Sequence, residues 1–86
     1  MILKVFAVRD RATDQYGNPM FLVNAGQAIR SFSDEVNKNG DGNMLAAHPD
    51  DFDLYELGSF DCDTGLFSTV TPRQVAVGKD LVLPKK

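Results

Sequence analysis

The sequence lacks the cysteines of a disulfide-bonded or zinc-binding protein and the long apolar runs of a secreted or membrane protein. Its single cysteine, Cys62, excludes an internal disulfide and leaves no second thiol at the spacing of a zinc site, so a reducing compartment fits. The amino terminus, "MILKVFAVRD", becomes charged within a few residues. It therefore lacks the apolar core of a signal peptide and the roughly 20 apolar residues of a membrane span. We expect a soluble cytosolic protein with no membrane partner.

Basic residues are also too few for an obvious nucleic-acid-binding protein. Nine lysines and arginines against twelve aspartates and glutamates give a net charge of -3. Phosphate contacts need positive charge, although a local patch can act despite the total. The 86 residues, 43% of them hydrophobic, predict one domain over residues 1–86. Its core must be small, so the free energy of unfolding should be on the order of 5 kcal/mol unless self-association buries more surface.

Hydrophobic patterning predicts two strands and one helix in the first half of the chain. Residues 2–9, "ILKVFAVR", are apolar on both faces of an extended strand, which is typical of a central strand, and residues 20–23 form a second apolar run. Asn24 can cap a helix from Ala25 to about Asn37, with a glutamine at the third helical position as in a loose capping box. The stripe of this helix that is predicted to pack on the sheet comprises Ala25, Ala28, Ile29, Phe32 and Val36.

The second half of the chain predicts a β-hairpin. Apolar and polar positions alternate in residues 52–60, residues 61–65 supply turn formers, and residues 66–70 form a second extended run. Thr71-Pro72 is expected to end that strand, and residues 74–83 offer one or two more short extended pieces around Gly78-Lys79-Asp80.

Strands on both sides of one amphipathic helix predict the α+β class. We expect a mostly antiparallel sheet of three to five strands with the helix packed on it. The alternative is a partly open barrel of the OB kind, which would suit single-stranded nucleic acid.

The segment after the helix, "NKNGDGNM", is similar to part of an EF-hand calcium loop. Asn37, Asn39 and Asp41 stand where oxygen ligands are needed, and the required glycine and apolar residue follow. The twelfth position is His48 rather than the bidentate glutamate that closes the calcium shell, and nothing after it predicts an exiting helix. The pattern favours a helix end followed by glycines that accept positive φ, and no bound metal is expected.

Two other patterns favour structural over catalytic explanations. Asp63-Thr64-Gly65 is the tripeptide of aspartic proteases, but Asp61 and Cys62 replace the apolar strand expected before it, and a hairpin turn needs the same residue types. His48 has no nucleophile motif beside it and with Pro49 is expected to start a tight turn. Neither a Walker-type phosphate loop nor a glycine-rich dinucleotide motif is present. We therefore expect no enzyme activity and no cofactor.

Basic and aromatic side chains are the remaining candidates for a binding site. Arg9 and Arg11 share one side of the chain at the end of the first strand, and the two final lysines form a basic tail able to reach a phosphate backbone. Six aromatic residues could stack on unpaired bases, namely Phe6, Tyr16, Phe21, Tyr55, Phe60 and Phe67. Most of them are expected in the core of so small a domain, with Tyr16 and Tyr55 the better exposed. The candidate DNA contacts are Lys4, Arg9, Arg11, Arg30, Arg73, Lys85, Lys86, Tyr16 and Tyr55.

Three segments of the chain resemble one family. The opening "LKVFAVRD", the helix segment "AIRSFSDEVN" and the segment "HPDDFDLYELGSFDCDTGLF" are similar, in order, to the small nonstructural protein of gokushoviruses, the microvirus group of single-stranded DNA phages. The family pattern has a Lys-x-Phe-x-Val-Arg-Asp start, an Arg-x-Phe-x-Asp helix, a His-Pro-x-Asp-Phe/Tyr-x-Leu-Tyr/Phe-Glu-Leu-Gly-x-Phe-Asp strand and a Thr-Gly turn. The resemblance implies a DNA-binding protein that acts around single-stranded genome synthesis or packaging.

The resemblance supplies no catalytic residues, and Arg9 and Arg30, inside the matched motifs, are the strongest candidates for phosphate contacts. We expect a nonenzymatic single-stranded DNA-binding protein of a small phage in the host bacterial cytoplasm. A homodimer or larger homo-oligomer is expected, because each weak basic patch gains from avidity. The alternative is a protein-interaction regulator of phage replication or assembly, which binds a phage or host protein through its acidic face without direct DNA binding.

Overall fold

A computed structural model describes residues 1–84 of the protein. Lys85 and Lys86, two of the predicted DNA contacts, lie outside the described residues. The strands are β1 (Ile2–Asp10), β2 (Gln15–Tyr16), β3 (Met20–Leu22), β4 (Phe52–Asp61) and β5 (Leu66–Val77). The helices are α1 (Ala25–Val36) and α2 (Met44–Ala47), and two 3₁₀ turns cover Pro49–Asp51 and Gly78–Leu81. The predicted α+β class is confirmed.

The sheet is antiparallel and curls into a half-barrel. β1 lies at its centre, as predicted: it pairs with β4 along its length, and with β3 and β2 in turn on its other side. β5 pairs with the far side of β4. Within residues 1–84 the outer side of β5 has no strand beside it, so the sheet stays open.

Helix α1 forms where capping and hydrophobic spacing predict it. The Asn24 side chain accepts a hydrogen bond from the backbone N–H of Gln27 at 2.9 Å. The Gln27 side chain accepts one from the N–H of Val23 at 3.1 Å, so the return bond of the capping box reaches one residue further back than usual. The predicted apolar stripe packs on β1 and β4, where full burial of each large side chain contributes roughly 1.5–3 kcal/mol. The buried core comprises Phe6, Ala28, Phe32, Val36, Phe52 and Leu54.

Strands β4 and β5 form the predicted hairpin, joined by the loop 62–65. The prediction that the second strand ends at Thr71-Pro72 is wrong, because β5 continues to Val77. Pro72 is accommodated because β5 is an edge strand and because the register shifts here, leaving Leu57 of β4 opposite residues 70–72. Residues 78–81 then form a 3₁₀ turn, so within residues 1–84 the extended pieces predicted around Gly78-Lys79-Asp80 are present only before this turn, as the end of β5.

Gly58 lets the two strands of the hairpin approach closely at this shift. Its φ of 151° lies in a region that side chains rarely adopt. A Cβ atom at this position would lie 2.1 Å from the backbone oxygen of Ser68. Only glycine therefore fits β4 at this point.

The loop after α1 ends the helix as predicted, and Gly42 has the expected positive φ, 77°. The Asn43 side chain donates to the backbone oxygens of Glu35 at 3.0 Å and Lys38 at 2.9 Å. The same side chain accepts from the N–H of Ala46 at 3.4 Å and so caps α2, a single helical turn that the sequence pattern does not predict. His48 ends α2 and precedes the tight turn before β4, as predicted.

Candidate nucleic-acid interface

Strand register sorts the aromatic residues between the two faces of the sheet. Residues paired in an antiparallel ladder project to the same face, and neighbours along a strand alternate. Phe6 lies in the core under α1, so Leu3, Val5, Ala7 and Arg9 project to the opposite side. Their partners on the adjoining strands project with them. We call this surface the aromatic face, and its rings are Tyr16, Phe21, Tyr55, Phe60 and Phe67.

The rings of the aromatic face form two separate groups, and the rings within each group contact one another. The centroids of Phe60 and Phe67 are 4.8 Å apart, and Phe21 lies edge-on at 6.0 Å from Phe60 and 6.1 Å from Phe67. Tyr16 and Tyr55 form an edge-to-face pair at 5.6 Å. These spacings are those of stabilising aromatic pairs, so the rings hold one another in place.

The aromatic face is more exposed than the sequence predicts. Phe67 exposes 61% of its surface, Tyr16 43% and Phe21 41%. The expectation that most aromatic residues lie in the core is confirmed for Phe6 and wrong for Phe21 and Phe67, which project from the side of the sheet opposite α1. Tyr16 is exposed as predicted, whereas Tyr55 is only partly exposed because Tyr16 packs against it.

Arg9 lies at one end of the aromatic face, directly opposite Tyr16 in the ladder of β1 and β2. Its guanidinium carbon is 6.0 Å from the centre of the Tyr16 ring, a cation–π distance. Its Nη2 donates to the carboxylate of Asp14, in the turn that joins the two strands. Hydrogen bonding to Asp14, and secondly to Tyr55, raises the pKa of Arg9 above its already high value, so the side chain stays charged.

Arg11 lies on the same side of the chain as Arg9, and its guanidinium group forms an ion pair with a buried carboxylate. Its Nε is 3.2 Å from Oδ2 of Asp53, whose side chain is only 3% exposed while that of Arg11 is 47% exposed. The other oxygen, Oδ1, is buried and has no hydrogen-bond partner among residues 1–84. Arg11 is thus held at the face by Asp53, an ion pair that the sequence pattern does not predict.

The structure brings together four of the predicted DNA contacts and separates the others from them. Arg9, Arg11, Tyr16 and Tyr55 share the aromatic face. The remaining described candidates belong to the helix side of the sheet or to α1: Lys4, Arg30 and Arg73. Arg73 donates to Glu56 at 2.8 Å. The register that decides this sorting is set by pairings between distant segments, which local sequence patterns do not reveal.

The remaining sequence motifs lie in turns and at the surface. Asp63-Thr64-Gly65 forms the hairpin loop, where the N–H of Asp63 donates to Asp61 at 2.9 Å and lowers the pKa of the Asp61 carboxyl. His48 and Cys62 are exposed. Within residues 1–84, no three histidine, cysteine, aspartate or glutamate side chains are grouped to hold a metal ion. None of the helices in this range is long and apolar enough to cross a membrane.

Comparison with known proteins places the chain among phage proteins. The model of the family described as "Phage ORF5 protein" matches residues 3–81. "Protein ORF5" of Chlamydia phage 1 is 34% identical over 67 residues, which cover 76% of this chain and 70% of that protein. No solved structure matches the chain.

Proposed function

The chain belongs to the Phage ORF5 protein family, and on that premise we propose that it is a nonenzymatic protein that binds the single-stranded DNA of a small phage. The resemblance predicted from the sequence is confirmed at the level of a small-phage ORF5 protein. We assign the DNA binding to genome replication or packaging in the host bacterial cytoplasm. The observation that carries the proposal is the aromatic face, with exposed rings beside Arg9.

The aromatic face combines the two contacts that single-strand binders use. Aromatic rings stack on unpaired bases, and each stacked base contributes about 1–3 kcal/mol regardless of sequence. Phe67 and Tyr16 are the most exposed rings of the two aromatic groups. Arg9 supplies positive charge at one end, and its remaining N–H groups can bind a phosphate while Nη2 holds Asp14. A DNA strand bound along the aromatic face would thus stack its bases on the rings, and one of its phosphates would contact Arg9 at the end of the face.

This arrangement favours single strands over duplexes. In a duplex the bases stack on each other and present only their edges, so exposed phenylalanine rings have nothing to stack against. Phosphate contacts alone would have to hold a duplex, and the net charge of -3 opposes that. We therefore expect measurable single-strand binding and much weaker duplex binding.

The test is fluorescence anisotropy of a labelled single-stranded oligonucleotide and of its duplex, each titrated with the protein at low and near-physiological salt. Tighter binding to the single strand is the expected result. Since each phosphate contact contributes about -0.7 to the log-log salt slope on single strands, a small basic patch predicts a slope of about -1 to -2. Absence of binding to either nucleic acid at low salt overturns the proposal for the isolated protein.

The contribution of the rings is tested with Phe67→Ala and its neighbour Leu66→Ala. Phe67 belongs to the aromatic face, whereas Leu66, 67% exposed, projects to the other side of the same strand. Loss of one stacked base should weaken single-strand binding by about ten-fold in Phe67→Ala, at about 1.4 kcal/mol per factor of ten. Leu66→Ala should bind as the unaltered protein does. Equal effects of the two changes would show that the aromatic face is not the contact surface.

The contribution of charge is tested with Arg9→Gln and Arg30→Gln. Arg9 lies on the aromatic face and Arg30 is exposed on α1, away from it. Loss of one phosphate contact should make the salt slope shallower by about 0.7 in Arg9→Gln. The slope should not change in Arg30→Gln. The reverse result would place the DNA on the helix side instead.

A second function is favoured by the ion pairs of the arginines. Arg9, Arg11 and Arg73 each contact a carboxylate, so a phosphate must compete for them. A protein-interaction regulator of phage replication or assembly does not bind phosphate, so these ion pairs could stay intact. Binding to a phage or host protein, together with no retention of DNA at low salt, would favour this second function.

A further inference from the structure

We propose that the outer edge of β5 pairs with the same edge of a second copy of the chain, in antiparallel orientation, to form a dimer. β5 is the longest strand among the described residues, at 12 residues, and it pairs only with β4. Residues 66–74 are all exposed. On the outer side of an edge strand the backbone N–H and C=O groups lack ladder partners and are ready to pair with another chain.

Residues 66–72 of this edge include none of the charged side chains that would prevent such pairing. Soluble proteins commonly guard edge strands with charged side chains, especially lysine. Residues 66–72, "LFSTVTP", carry no charge. They expose apolar side chains instead, with Leu66 at 67%, Phe67 at 61% and Val70 at 51%. Pro72 and the register shift beside it end the regular edge, so the pairing segment is 66–71.

Charge and symmetry both favour a second copy as the occupant. Two copies that each carry a net charge of -3 repel on average, and this uncharged edge is a place where they can meet without facing like charges. An antiparallel strand can pair with itself about a two-fold axis, so no other partner is needed. In the described part of the chain, the opposite edge of the sheet consists only of β2 and β3, of two and three residues, which are separated by Pro19. Pairing of the long edges therefore closes at two copies rather than growing into a fibre.

The dimer would join the two aromatic faces. A two-fold axis perpendicular to the sheet keeps the same face of both copies on the same side. Phe67, on the pairing segment, would then lie near the axis in both copies, and one DNA strand could cross both faces. This consequence rests on the proposed function, whereas the dimer itself does not.

The dimer is tested without DNA, by sedimentation equilibrium over a range of protein concentrations. The expected species has twice the 9.5 kDa mass of the chain. Val70→Lys should shift the protein to the monomer, because it places charge on the edge. Val23→Lys is the matched control, since Val23 is 49% exposed but lies outside β5, and it should still dimerise. A monomer at every concentration overturns the proposal, as does a dimer that Val70→Lys leaves intact.

Cysteine cross-linking locates the interface independently of these variants. In a Cys62→Ser background, Ser68→Cys and Thr69→Cys place a thiol at the middle of the pairing segment. Directly opposed Cα atoms in an antiparallel pair are about 4.5–5.5 Å apart, which a disulfide can span. Only one residue can lie opposite its own copy at the two-fold axis, so oxidation should cross-link one of these two variants efficiently. It should leave Ser31→Cys, on the exposed side of α1, as monomer. Cross-linking through Ser31→Cys alone would place the interface on the helix and refute edge pairing. A dimer that fails to bind DNA would refute the proposed function alone.

Discussion

Asp53 is a carboxylate in a part of the fold that is closed to solvent. It lies between Phe52 and Leu54 in β4 and projects to the opposite face of the sheet from them. Asp53 is almost fully buried, and within residues 1–84 Arg11 is its single ion-pair partner and Oδ1 has no hydrogen bond. A buried carboxylate depends strongly on such a partner, because it has lost its water.

Arg11→Ala should therefore destabilise the fold more than removal of an exposed arginine does. Leaving Asp53 without its partner is expected to lower the free energy of unfolding by about 1–3 kcal/mol. Arg30→Ala is the control, because Arg30 is exposed and makes no ion pair within residues 1–84; its effect should stay within about 0.5 kcal/mol. Urea unfolding of the two variants gives the comparison. Equal midpoints would mean that Asp53 does not need Arg11.

Gly58→Ala tests the close approach of β4 and β5. The added methyl group would meet the Ser68 backbone oxygen at 2.1 Å, and a φ of 151° is strained for alanine. Strain of this kind and the backbone shift that it forces should cost about 2–4 kcal/mol. Gly40→Ala is the control, since nothing lies within 4 Å of an added Cβ there. Thermal and urea unfolding should separate the two variants, and similar stabilities would show that the strands can move apart freely.

At the scale of elements, the sequence predicts best where the determining contacts are local. The cap at Asn24, the apolar stripe of α1 and the turn of the hairpin all depend on residues a few positions apart, and all three are confirmed. The continuation of β5 past Pro72 could not be predicted, because proline is tolerated only once β5 is known to be an edge strand. The sorting of the rings depends likewise on register between distant strands, so the aromatic face emerges only from the assembled sheet.

The junction between α1 and α2 depends on the side chain of Asn43. Its side chain contacts the backbone of Glu35, Lys38 and Ala46. Asn43→Ala should cost about 1–2 kcal/mol through the lost cap and the unsatisfied carbonyl groups. Asn39→Ala, in the same loop, makes none of these contacts and serves as the control. A melting temperature unchanged in Asn43→Ala would show that the loop is held by other contacts.

At the scale of the whole molecule, the core is displaced toward one end. The buried cluster joins α1 to the region of β1 around Phe6 and to the start of β4, whereas the far end of the hairpin carries no helix. The molecule measures 47 × 26 × 21 Å, and its radius of gyration of 13.6 Å exceeds the about 12 Å expected of a compact domain of this length. We infer that stability is uneven along the long axis.

Hydrogen exchange should resolve this unevenness. Amides of residues 6–8 and 52–56 should be the most protected strand amides, because the core under α1 must open before they exchange. Amides of residues 2–4 and 59–61, in the same two strands but beyond the helix, should exchange faster. The loop residues 38–41 provide the unprotected reference. Uniform protection along β1 and β4 would contradict the inference and indicate a single cooperative unit.

The placement of the tyrosines gives the protein an optical reporter of its own. The chain has two tyrosines and no tryptophan, and both tyrosine rings lie on the aromatic face, 5.6 Å apart. Ultraviolet emission from the unlabelled protein therefore originates at one spot on its surface. Quenching of that emission would report contact with this spot alone, since the phenylalanines of the buried core contribute little light at the wavelengths at which tyrosine emits.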